Sequence, residues 1–102
     1  MGLDTEDTLS KFKPRLLSHL WAAPDHYEQC RAQAMAEETR SAARFVQGRV
    51  GWAEIIPQAT ALKCLLDGYH SFLVEQDFTF QAEEVAASRD AFVQELEREK
   101  DR

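Results

Sequence analysis

Apolar residues in this chain recur three and four positions apart, and no stretch sustains the every-second-residue alternation of a half-buried strand. That period confines the backbone to helices that each bury one stripe. It holds in four blocks, of about 5–21, 25–48, 52–76 and 79–100. Four glycines and three prolines leave little turn punctuation, so a few long elements are expected rather than many short ones. Short links between amphipathic blocks imply antiparallel neighbours. The expected fold is therefore all-α: a single compact bundle of about four helices, one domain over residues 1–102, with 1–4 and 98–102 frayed. No internal repeat or low-complexity segment is visible.

Proline and capping residues set the expected boundaries. Asp4 or Thr5 can cap the first block, whose face is Leu9, Phe12, Leu16 and Leu20. Pro14 interrupts it, and Ala22-Ala23-Pro24 closes it. Asp25 then caps a second helix. Its Tyr27, Cys30, Ala34, Ser41, Ala42 and Phe45 share one face, with Ala32, Ala36 and Ala43 opposite and Gly48 at its end. In the third block Trp52, Ile55, Ile56, Ala59, Leu62, Leu66, Tyr69 and Leu73 form the broadest stripe. Pro57 fits best there as the opening of the main helix after a separate turn over Trp52–Ile56. Thr79 caps the fourth block, which turns Ala82, Val85, Ala86, Phe92, Val93 and Leu96 inward.

Charge narrows the function classes. Residues 1–50 carry seven basic and seven acidic side chains, and residues 51–102 carry five and eleven, so the whole net charge of −6 lies in the second half. Such a surface repels nucleic-acid phosphates and anionic lipid and suits a basic partner. No apolar run approaches the ~18 residues of a membrane span. The opening Met1-Gly2-Leu3-Asp4-Thr5-Glu6-Asp7 is acidic, lacks the apolar core of a secretory signal, and has Glu6 where a myristoylation motif wants Ser or Thr. A cytoplasmic chain is expected. Cys30 and Cys64 are too far apart and too few for a zinc site or a disulfide framework, and are read as reduced, partly buried thiols.

Catalytic machinery is hard to assemble from these residues. There is no Gly-rich phosphate loop, GxSxG or HExxH. Cys64, Asp67 and His70 lie on successive turns of one helix, but their directions fan out rather than converge. Asp67 and His70 have the Asp-x-x-His spacing of a bundle metal ligand pair. A di-metal site needs two such motifs with further glutamates, and only one is present. No metal or cofactor is expected, and the chain is read as not an enzyme. Arg40, Arg44 and the other basic residues of the first half are read as surface ion-pair partners.

Three features suggest contact surfaces. Glu38 points with Tyr27, Ala34 and Phe45, and Arg89 with Phe78, Val85, Phe92 and Leu96. A charge on an apolar face must find a partner, so the two mark either a buried ion pair or the rim of a partner groove. Phe78 and Phe80 flank the connector between blocks three and four, where burial is difficult, and an exposed aromatic pair there would mark a contact. Block four carries Glu83, Glu84, Asp90, Glu95, Glu97, Glu99 and Asp101. The leading expectation is a non-enzymatic protein-protein interaction or regulatory module acting through helix faces, its partner another protein, basic in character, or a second copy of itself. Glu38, Arg89, Phe78, Phe80, Glu83, Glu84 and Asp90 are its candidate contact residues. One alternative is an acidic inhibitor that imitates a phosphate track in a basic groove. The other is a small helical metal protein or enzyme using Asp67 and His70.

Overall fold

The computed structural model describes the backbone of residues 3–49 and 51–101, and the side chains of these apart from 3–8 and 10. The fold class is all-α, as the periodicity requires, with no strand among the described residues. The elements are α1 (Leu3–Gln29), α2 (Gln33–Gln47), α3 (Trp52–Ile55), a 3₁₀ turn (Ile56–Gln58), α4 (Ala59–Glu75) and α5 (Thr79–Lys100). They form two compact units, Met1–Gly51 and Trp52–Arg102, each built on a pair of packed helices. No helix among the described residues is long and apolar enough to cross a membrane.

In the first unit α1 continues through both Pro14 and Pro24, so the expected breaks near Lys13 and at Ala22–Pro24 do not occur, and Asp25 lies inside the helix rather than capping one. An interior proline costs about 3 kcal/mol. Against that stands the register of burial: Leu9, Leu16, Leu20, Ala23 and Tyr27 are all buried and keep one helical phase through both prolines. Ending the helix at Trp21 would strand Ala23 and Tyr27, and a buried large side chain contributes about 1.5–3 kcal/mol. Asp4 and Thr5 likewise lie within α1 rather than at its cap. The fraying expected for residues 1–4 falls on Met1 and Gly2 outside the described residues, while Leu3 and Asp4 are helical.

The chain reverses at Cys30–Ala32 instead. The Ala32 N–H donates to the Tyr27 carbonyl at 2.8 Å, and the Arg31 N–H donates to the Glu28 carbonyl at 3.0 Å. Arg31 is left-handed, with φ 64°. This nested pair of bonds around a left-handed residue is the Schellman arrangement, which satisfies the last carbonyls of a helix. Because the turn resets the helical phase, α2 buries Ala36, Thr39, Ala43 and Val46. Of the face read together with Tyr27, Cys30, Ala34 and Ser41 are exposed and Ala42 and Phe45 partly covered, while Ala36 and Ala43 opposite are buried. Small residues on the buried face allow close helix approach. The Thr39 hydroxyl donates to the carbonyls of Met35 at 2.9 Å and Ala36 at 3.0 Å, so its polar atom is satisfied locally. The end of α2 is held by Lys13 of α1, whose ammonium donates to the carbonyls of Gln47 at 3.1 Å and of Arg49.

The second unit opens with α3 and the 3₁₀ turn containing Pro57, and the main helix starts at Ala59. A separate turn precedes that helix as expected, but Pro57 belongs to the 3₁₀ turn rather than opening the main helix. Helix α4 buries Ala59, Leu62, Leu66, Tyr69 and Leu73, and α5 buries Ala82, Val85, Ser88, Phe92, Glu95 and Leu96. Trp52 packs on Phe92 with ring centroids 5.8 Å apart. Helix α5 begins after Phe78, with no side-chain cap, so Thr79 is its first residue rather than its cap. It runs to Lys100, into the segment expected to fray from 98 onward.

The two units share a plan that the sequence scan for repeats misses. Asp77 is left-handed at φ 63°, and around it the Phe78 N–H donates to Leu73 at 2.9 Å and the Asp77 N–H to Val74 at 3.1 Å, the same two bonds as around Arg31. From Arg31 to Asp77 is 46 residues. The same shift carries buried Leu9, Leu16, Leu20, Ala23 and Tyr27 onto buried Ile55, Leu62, Leu66, Tyr69 and Leu73, and Ala36, Thr39 and Val46 onto Ala82, Val85 and Phe92. Few of these pairs are identical residues, so burial and turn geometry reveal the correspondence where residue matching does not.

Candidate functional site

The turn between α4 and α5 displays three large apolar side chains to solvent: Val74 at 52% exposure, Phe78 at 39% and Phe80 at 70%. Among the described residues the other exposed large hydrophobic side chain is Trp21 on α1. The backbone fixes the three. Val74 lies in the last turn of α4 and accepts the Asp77 N–H. Phe78 links the helices, donating back to Leu73 and accepting the Ala82 N–H at 2.9 Å. Phe80 lies in the first turn of α5. Glu83 and Glu84, three and four residues on, share its helix face.

The first unit shows what such a turn requires. Shifted by the same 46 residues, the places of Val74, Phe78 and Phe80 are held by Glu28, Ala32 and Ala34. The Schellman bonds form equally well there. A hydrophobic residue after the left-handed position often packs back on the helix, which gives Phe78 a partial structural reason. Nothing in the turn calls for a 70%-exposed phenylalanine at position 80.

Electrostatics sets the two turns further apart. In the first unit Arg40 pairs with Glu28 and with Glu37, the latter at 2.7 Å. Ala86 occupies the position of Arg40 in the second unit. From Ser71 through Ser88 there is no Lys, Arg or His, while Glu75, Asp77, Glu83 and Glu84 are exposed. None of these four carboxylates forms an ion pair among the described residues. The apolar surface thus has an acidic rim.

The other candidate residues fall elsewhere. Glu38 is exposed on α2 and Arg89 is only partly covered, so neither belongs to a buried pair. Arg89 Nη1 donates to Asp67 Oδ1 at 3.0 Å, and its Nε and Nη2 donate to Asp90 Oδ1 at 3.2 Å. Together with Lys63, Val93 and Gln94 these residues line a shallow, open, mainly polar depression. Arg89 points along an apolar stripe and reaches charge at its tip, as long basic side chains do. Asp67 is engaged by Arg89, and no group of three or more His, Cys, Asp or Glu able to hold a metal gathers among the described residues. Glu95, expected on the acidic outer face of α5, is buried and takes both guanidinium contacts of Arg98 at 3.2 Å. Cys30 and Cys64 are exposed free thiols rather than partly buried ones.

Three of the seven basic residues of the first unit are engaged within its fold. Lys13 and Arg40 are engaged as described, and Arg49 donates to the Phe45 carbonyl at 3.2 Å with its guanidinium 4.8 Å from the Phe45 ring centre. Burial pushes the Tyr27 phenol from 10.0 up to about 12, and the nearby charge of Glu38 adds to the effect.

Sequence reasoning found Phe78, Phe80, Glu83 and Glu84 but missed Val74, Glu75 and Asp77. Val74 follows the last buried position of its stripe, Leu73, and a bulky apolar residue off the stripe at a helix end was the available signal. In comparisons with known proteins the chain matches no family model, no curated protein and no solved structure.

Proposed function

We propose that the chain is a non-enzymatic protein-interaction module that engages its partner through the α4–α5 turn, with Phe80 as the anchor. The observation that carries this reading is the exposure of Phe80 at a position where the matching turn of the first unit does without a large apolar group, having Ala34 there. An aromatic ring held on a rigid helix start loses little freedom on docking and brings a large apolar area, which is why such rings dominate binding energy at interfaces. Val74 and Phe78 extend the same surface.

The phosphate-track alternative has less support: Glu95 is buried and paired with the exposed Arg98, and Asp90 is paired with Arg89, so fewer bare carboxylates remain along α5. The test is a photo-crosslinking residue placed at position 80 and, separately, at the exposed Ala87 on the same helix, each in the full chain in native lysate. A discrete crosslinked species from position 80 that position 87 does not give supports the reading. The same diffuse background from both sites rejects it.

A further inference from the structure

The geometry points to the class of partner this surface takes: a basic amphipathic segment of another protein, with apolar side chains seated on Val74, Phe78 and Phe80 and Lys or Arg reaching the surrounding carboxylates. This rests on the α4–α5 turn being the interaction surface and adds what occupies it. The apolar part of the argument is the exposed trio itself. Charge complementarity identifies its occupant.

Two features call for cationic charge at this place. The first is the rim: Glu75, Asp77, Glu83 and Glu84 are exposed in the same segment as the trio, with no basic side chain between Ser71 and Ser88. The second is the end of α4. A helix C-terminus carries partial negative charge and is normally complemented by a cation in its last turn. Helices α2 and α5 follow this, with Arg44, and Arg98 and Lys100, and α1 has the basic side chain His26 in its last turn. Helix α4 has no basic residue in its last turn and carries Glu75 there, with Asp77 just beyond. A docked Lys or Arg would supply to α4 the complement that the other long helices provide for themselves. A second copy docking turn to turn would instead oppose four carboxylates with four more, so self-association through this surface is disfavoured.

Selection from a randomised peptide library on the immobilised full chain, counter-selected on the Phe80→Ser variant, tests this directly. Phe80 is exposed, so the variant should keep its helical circular dichroism, and that is measured first. The expected winners combine Lys or Arg with apolar residues. Their affinity should fall about tenfold or more with Phe80→Ser, by a similar factor when Glu75, Glu83 and Glu84 are all changed to Lys, and steadily with added salt. Winners without net positive charge would overturn the partner class while leaving the surface itself in place. No enrichment over Phe80→Ser would also overturn it, and the crosslinking at position 80 then decides the surface separately. A concentration-dependent rise in the mass of the free chain that Phe80→Ser abolishes would assign the surface to a second copy and overturn the proposal.

Discussion

Arg31 and Asp77 hold the same left-handed backbone conformation, φ 64° and 63°, at the same point of two turns with the same hydrogen bonds. Neither is glycine, the residue that takes this conformation without a Cβ penalty. The left-handed region costs a side-chain-bearing residue about 1–2 kcal/mol, less for Asp, whose short polar side chain tolerates it. Arg31→Gly should therefore stabilise the chain by about 0.5–1 kcal/mol, after allowing for the extra freedom glycine gives the unfolded chain. Asp77→Gly should gain less. Urea midpoints of the two variants check the order, and a loss of stability from Arg31→Gly would show that its side chain holds the turn.

These turns also show how far the sequence could be read. The helical period of Leu16, Leu20, Leu62 and Leu66 was plain, and with it the fold class. Pro24 reads locally as a stop, yet Ala23 and Tyr27 continue the phase of Leu20 and the helix runs through it. The real turn carries no glycine, asparagine or proline, so local chemistry gave no sign of it. Without that turn, the sequence does not show which of the two small-residue faces of α2 is buried. At the site, Phe78 and Phe80 were legible as apolar residues beside a connector. The partner of Arg89 was not, because Asp67 lies on a different helix and only packing brings them to 3.0 Å. The missing cation at the end of α4 could be seen once the ends of that helix were known.

Tyr27 makes stability sensitive to alkali. Its phenol titrates near 12 in the fold against 10.0 in the unfolded chain. A raised value favours the protonated fold, so its contribution is complete below pH 10.0 and is lost as pH climbs through about 12. The separation corresponds to about 3 kcal/mol. The Tyr27→Phe variant, which cannot ionise, should lose correspondingly less stability over that window, read from denaturation curves at stepped pH. Glu38→Gln should move the tyrosinate absorbance midpoint downward by a smaller amount, since Glu38 is the lesser cause. An unchanged pH profile in Tyr27→Phe would reject this account.

Lys13 joins the middle of α1 to the end of α2 through the carbonyls of Gln47 and Arg49. Lys13→Met keeps most of the stem and removes the charge, leaving two carbonyls at a helix end to water. The expected cost is about 1 kcal/mol, or about 4–8 °C in melting temperature for a domain of this size. Added salt should narrow the difference between Lys13→Met and the parent chain. A difference that persists at high salt would mean that the two hydrogen bonds themselves, rather than the long-range charge, carry the effect.

Thr39 and Val85 occupy corresponding buried positions of the two units, and exchanging them tests whether the correspondence is energetic as well as geometric. The Thr39 hydroxyl shares carbonyls of Met35 and Ala36, acceptors that also belong to the helix ladder. Thr39→Val removes donor and polar atom together and leaves neither carbonyl without a helical donor. The change should be neutral or stabilising by up to about 1 kcal/mol. Val85→Thr places a hydroxyl where α5 also offers a carbonyl one turn earlier, so its cost should stay near 1 kcal/mol rather than the larger penalty of an unsatisfied buried group. Urea denaturation of the two single variants measures both values. A loss beyond about 2 kcal/mol in Thr39→Val would show that the hydroxyl holds α2 in place.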